Sequence, residues 1–194
     1  MTRPRLVGFS ANLQRPSKTR TLVETLAETA AARSGFEARV FDIVDAGSGL
    51  GAAQYRSQLS LPARRVVEAI EEADALVVGT PVYKGAYTGL FKHLFDLIEP
   101  DALAGKPVAI VATGGGPRHA LVVEHSLRPL FGFFSALTVP TAVYASDADF
   151  RDGALEEAGV RRRLTDAAEQ LAVLLGARTA IGGAETRAVA AAGR

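Results

Sequence analysis

The chain contains no cysteine. That excludes disulfides, thiolate nucleophiles, iron–sulfur clusters and cysteine-ligated zinc, so any redox chemistry has to be borrowed from an organic cofactor. Net charge is nearly absent as well: 22 basic and 21 acidic residues leave +1. Nucleic-acid binding needs clustered Lys and Arg well in excess of acids. The one basic cluster, Arg161-Arg162-Arg163, sits among acids on a helix and reads as a solvated face. No apolar run reaches the roughly 18 residues of a membrane span. The first residues, Met1 to Arg5, lead straight into a strand-like run without a secretory h-region or cleavage site, and a cytoplasmic location is expected. Internal repeats and domain-separating linkers are also missing. What remains is 194 residues, 48% hydrophobic and 22% charged, enough for one α/β domain around a single core. That domain is expected over residues 1–177. Residues 178–194, rich in Ala and Gly without a hydrophobic period, are expected to form a disordered or loosely packed tail.

Short apolar runs alternate with amphipathic segments, the pattern of a doubly wound parallel sheet. Strands are predicted at Leu6 to Ser10, Ala38 to Ile43, Ala75 to Thr80, Val108 to Thr113 and Val139 to Tyr144. Helices are predicted at Thr19 to Arg33, Pro62 to Glu72, Thr88 to Ile98, Arg118 to Ala136 and Ala154 to Leu175. Five strands and five helices imply a three-layer, flavodoxin-like sandwich with a five-stranded parallel sheet of order 2-1-3-4-5. A ligand then belongs at the switch point between the first and third strands. The connection from Val44 to Leu61 is the longest, and Gly47-Ser48-Gly49-Leu50-Gly51-Ala52 within it formally fits a dinucleotide fingerprint. It lacks the immediate helix and the acidic partner that fingerprint needs, and reads as a flexible glycine loop.

Three loops fall at the expected ligand edge. After the first strand, Ser10, Asn12, Arg15, Ser17, Lys18 and Thr19 place hydroxyls and cations where the first helix begins. A helix N-terminus offers free N–H groups and a positive dipole end, which suits a terminal monophosphate; ordinary helix capping by Ser17 or Thr19 would use the same residue types. The stretch has no G-x-x-x-x-G-K-S/T and is not a triphosphate loop. After the third strand, Pro81, Val82, Tyr83 and Lys84 give a rigid, partly aromatic wall. After the fourth, Thr113, Gly114, Gly115 and Gly116 let backbone approach a planar ligand and donate N–H groups to it. The histidines form no metal-binding pattern, and no metal is expected.

The stretch T-P-V-Y-K-G-A-Y-T-G-L-F-K, Thr80 to Lys92, resembles the signature of the flavodoxin-like NAD(P)H-dependent FMN reductases. So do L-x-G-K-P-V-x-x-x-A-T-G-G, Leu103 to Gly115, and the opening loop from Gly8, which carries Phe9 where the family often has Gly. In that family the Tyr83 loop lies against the isoalloxazine ring, so FMN and NADPH or NADH are implied as cofactors or substrates. In the next helix, Pro129 lacks an N–H and clashes with the His125 carbonyl, so the helix must kink or widen. His125 stands where the sulfonate-sulfur branch carries an inserted residue of a π-helix at a tetramer interface. The resemblance therefore implies a homo-oligomer, dimer or tetramer, that supplies reduced FMN to a reduced-flavin-dependent monooxygenase in organosulfonate desulfonation. Rivals are an FMN-retaining quinone or azo reductase, a flavodoxin-like electron carrier and a flavin-sensing module. Carriers are usually strongly acidic, which this chain is not. NADH against NADPH, and exchangeable against retained FMN, stay open.

Overall fold

The computed structural model describes residues 5–192, with side chains described as far as Arg178. In chain order the elements are β1 (Arg5–Ser10), α1 (Lys18–Ser34), β2 (Glu37–Asp42), α2 (Ile43–Ala46), α3 (Gly49–Ala52), α4 (Leu61–Glu72), β3 (Ala75–Pro81), α5 (Gly89–Asp96), β4 (Pro107–Gly114), α6 (Arg128–Phe133), β5 (Leu137–Thr138), β6 (Val143–Ser146), β7 (Phe150–Arg151), β8 (Ala154–Leu155) and α7 (Ala158–Ala192). The sheet is parallel, in the order β2-β1-β3-β4-β5, with β6 also paired to β4. Central strands buried on both faces explain the continuous apolar runs of β3 and β4. Among the described residues no helix is long and apolar enough to cross a membrane.

Strand alternation divides the core. Val7, Phe9, Val78 and Ile110 face α4 and α5, where Phe91, Leu94 and Phe95 meet Phe131. Phe95 and Phe131 cross edge to face at 5.1 Å between ring centroids, a favourable aromatic geometry. Leu6, Val77, Ala109 and Val111 face α1 and α7, against Leu22, Val23, Leu26, Ala167 and Leu171. The approach of α1 is close. A Cβ at Gly79 would lie 2.5 Å from Val23 Cγ2 and 2.7 Å from Val111 Cγ2, so only glycine lets α1 settle onto the strand.

Several boundaries depart from the sequence-based expectations. The fifth strand is two pieces, β5 and β6: Leu137 and Val139 N–H reach Lys106 O and Val108 O at 2.8 and 2.9 Å, but the next donor in the ladder, Thr141 N–H, turns to Gln170 Oε1 at 2.9 Å, and pairing with β4 resumes only at Val143. The helix expected over Arg118 to Ala136 is a 3₁₀ turn at Pro117–His119, a π-helix at Val123–Leu127, and α6. The last helix starts at Ala158 rather than Ala154, since Asp152 and Gly153 both take positive φ and fold β7 and β8 into a hairpin. It runs to Ala192, where alanine, the strongest helix former, is the commonest residue; residues 193 and 194 of the expected tail lie outside the described residues. Within the 44–61 connection the glycine-rich hexapeptide is not an open loop. It contains α3, anchored by the fully buried Leu50.

Candidate functional site

The three predicted loops meet at the carboxyl ends of β1, β3 and β4. Ala11 N–H bonds Gly79 O at 2.8 Å, which ties the first loop to β3, and Val82 N–H bonds Thr113 O at 2.7 Å, which ties the second to the third. Ser10, Asn12, Thr19 and Thr113 are all buried there. The Thr19 and Thr113 hydroxyls share a hydrogen bond of 2.6 Å, fixing the first turn of α1 to the end of β4. Ser17 caps α1 by accepting from Arg20 N–H at 3.3 Å, and the first backbone bond of the helix runs from Thr21 N–H to Ser17 O. The Lys18 and Thr19 N–H groups precede that bond, at the positive end of the helix dipole.

The Tyr83 loop is a tight two-residue turn. Tyr83 and Ala86 exchange backbone hydrogen bonds of 3.0 and 3.3 Å across Lys84 and Gly85, both at positive φ. Lys84 at φ 53 is an uncommon left-handed lysine, held by the bridge on either side of it. Tyr83 stands outward with half of its surface exposed, while Thr88 caps α5 and receives support from Thr80 beneath the turn. On the third loop, Tyr144 donates to Gly116 O at 2.6 Å, and burial pushes its phenol pKa up. A side chain at Gly114 would strike that same phenol oxygen at 2.5 Å.

The predicted cations behave differently from the hydroxyls. Arg15 forks onto Asp42 with two bonds of 2.7 Å and reaches Asp45 at 2.7 Å; Lys18 pairs with Asp147 at 2.7 Å. Neither side chain is directed freely at the hydroxyl cluster. Asp42, which the sequence reading passed over, is fully buried and also accepts from Asn12 Nδ2 at 3.0 Å and Arg20 Nη1 at 2.7 Å. Burial alone would raise its carboxyl pKa, but the bonds from Arg15, Asn12 and Arg20 outweigh this and hold it well below the carboxylate range. The D-x-x-D of Asp42 and Asp45 forms a capping box at α2, and that spacing was the available signal. Two buried polar atoms, Ser10 Oγ and Asn12 Oδ1, have no hydrogen-bond partner among the described residues. Buried polar atoms of this kind are costly unless something meets them.

His125 and Pro129 lie elsewhere, exposed on the π-helix and on α6. Arg128 between them bonds Thr138 Oγ1 and Val139 O, each at 2.9 Å, and Pro140 O at 3.1 Å, covering the carbonyls that the broken strand leaves unpaired. A cleft of about 670 Å³ runs beside β2 and α4; of the predicted residues only Arg15 lines it.

Residues 4–150 match the family described as NADPH-dependent FMN reductase. The chain is 44% identical over 177 residues to the NADH-dependent FMN reductase SfnF of Pseudomonas fluorescens, covering 91% of this chain and 95% of that one. It is likewise 44% identical over 180 residues to the FMN reductase (NADPH) of Pseudomonas aeruginosa, covering 92% and 97%. Among solved structures, the apo form of the NADH:FMN oxidoreductase EmoB superposes with a TM-score of 0.78 at 29% identity, over 88% of this chain and 89% of that one. The order of strands, the convergence of three loops at the switch point and these likenesses agree, and the chain belongs to the NADPH-dependent FMN reductase family.

Proposed function

We propose that the three-loop shelf binds FMN and that the chain reduces it with NADH or NADPH, releasing reduced FMN to a separate monooxygenase that desulfonates organosulfonates. The observation that carries the placement is the pair of buried, unpartnered atoms, Ser10 Oγ and Asn12 Oδ1, beside the start of α1. They fit a ligand that brings both acceptors and hydroxyl donors, as a ribityl phosphate does. Ser17 and the backbone at Lys18 and Thr19 hold the phosphate; Pro81, Val82, Tyr83 and Lys84 wall one face of the ring; Thr113, Gly114, Gly115 and Gly116 offer N–H groups to its pyrimidine edge. Arg15 and Lys18 act through Asp42 and Asp147 rather than as primary phosphate ligands. When bound, the flavin accepts hydride at N5 from the nicotinamide, so the protein needs no catalytic acid or base of its own.

The names of the Pseudomonas relatives support reduction of FMN, and they divide between NADH and NADPH. A homo-oligomer, cytoplasmic, with the face around His125 and Pro129 at a subunit interface, completes the reading. The large exposed side chains Leu121 and Phe133, which flank the π-helix, support that interface. Initial rates of NAD(P)H oxidation by flavin-stripped protein, with FMN varied from below to far above the protein concentration, test it. Steady turnover under oxygen that saturates only well above one equivalent is expected. Saturation at one equivalent, with turnover then requiring a quinone or azo acceptor, would refute release of reduced FMN.

A further inference from the structure

We infer that Asp42 is a positioning residue that makes Asn12 a dedicated hydrogen-bond acceptor for a ribityl hydroxyl of the flavin, an inference that rests on the flavin reading above. Asn12 is 4% exposed and its carboxamide has two partners, Gln14 O at 3.1 Å and Asp42 Oδ2 at 3.0 Å. Both partners are pure acceptors. The amide can face them only with its NH₂ end, because the reversed orientation would oppose oxygen to a carbonyl and to a carboxylate. Both N–H donors are therefore consumed, and the buried Oδ1 is left without a partner among the described residues, the acceptor that the inference assigns to the ligand.

An acceptor cannot serve a phosphate, whose oxygens are themselves acceptors and carry charge. It needs an O–H or N–H on the ligand. Asn12 follows Ala11, which is bonded to Gly79 at the β1–β3 crevice, between the start of α1 and the Tyr83 loop. That is the span between phosphate and ring, where a flavin carries only hydroxyl donors. Asp42 can hold this arrangement through any working pH, since Arg15 and Arg20 keep it ionised and in place.

Kd values from flavin fluorescence quenching, for FMN, riboflavin and lumiflavin, separate the possibilities. Asn12→Ala is expected to weaken FMN and riboflavin by the same factor, about tenfold, the size of one lost hydrogen bond in a desolvated site, and to leave lumiflavin, which has no ribityl chain, unchanged. Asn12→Asp keeps an acceptor of the same shape and, when ionised, cannot donate to Asp42; in titrations extended to about pH 9, where a proton shared between the two carboxyls is lost, it is expected to lose riboflavin at least as severely as Asn12→Ala. A loss confined to FMN would make Asn12 a phosphate ligand, and a loss shared by lumiflavin would make it a ring ligand; either overturns the inference. Asn12→Asp binding riboflavin like wild type would overturn the role of Asp42. Wild-type protein that binds none of the three flavins would instead overturn the flavin reading on which the inference stands.

Discussion

Replacing Gly79 by alanine adds one methyl group at the point where α1 lies closest to the sheet. The new Cβ would be 2.5 Å from Val23 Cγ2, 2.7 Å from Val111 Cγ2 and 3.3 Å from Thr19 Cγ2. Carbon atoms rest about 3.5 to 4 Å apart, so the shortfall against Val23 is about 1 Å. Val23 and Val111 are fully buried and cannot swing away; a shift of α1 relieves the overlap with Val23, while that with Val111, on the neighbouring strand β4, stays as strain within the sheet. Overpacking of this kind costs about 1 to 3 kcal/mol. A shift of about 1 Å would also stretch the Thr19–Thr113 bond from 2.6 Å beyond hydrogen-bonding distance and draw the start of α1 off the crevice. Urea unfolding should therefore show a lower midpoint with the slope retained, and FMN titration of the folded variant should show a raised Kd. Val23→Ala in the same chain should recover part of both losses by removing the nearer obstruction. An unchanged midpoint together with wild-type FMN affinity would refute the argument that glycine sets the seat of α1.

Two further outcomes follow from the structure. Lys106 is 6% exposed and its ammonium group donates to Glu71 O; burial, with Arg178 nearby, pushes its pKa from the ordinary lysine value down to about 8. Between about pH 8 and 10.5 the unfolded chain then holds a proton that the folded one has released, so this group's contribution to stability rises with pH across that window. In urea unfolding, wild type should gain on Lys106→Met by up to about 3 kcal/mol from the bottom of the window to the top; parallel pH profiles would refute the buried-charge account. Arg128→Lys keeps the charge but loses the fork that reaches Thr138, Val139 and Pro140. It should destabilise by about 1 to 3 kcal/mol in the same assay, and a loss within error of zero would show that those carbonyls find other partners.

The backbone of the site was legible in the sequence because its requirements are conformational. Pro81 and the Lys84-Gly85 turn restrict or free φ in ways a single letter announces, Gly114 leaves room for the Tyr144 phenol, and strand periodicity put them at one edge of the sheet. Pro129 announced a disturbed helix for the same reason, and the π-helix lies at Val123–Leu127, just before it. The break in the fifth strand was not legible, because it lies where Thr141 N–H leaves the ladder for Gln170, a partner 29 positions away.

What the sequence withheld was the pairing of charges. Arg15 and Lys18 look like phosphate ligands beside Ser17 and Thr19, and the partners that claim them, Asp42 and Asp147, lie 27 and 129 positions away along the chain. No local pattern encodes that distance. A cation bound twice by a buried carboxylate is a fixed part of the scaffold: it shapes the loop, while neutral hydroxyls and backbone N–H groups are left to meet the ligand. Binding through neutral donors avoids stripping water from a free guanidinium and lowers the cost of letting the anion go. On the proposed reading, a site built this way suits a flavin that leaves after each turnover, and the FMN saturation experiment bears on that step.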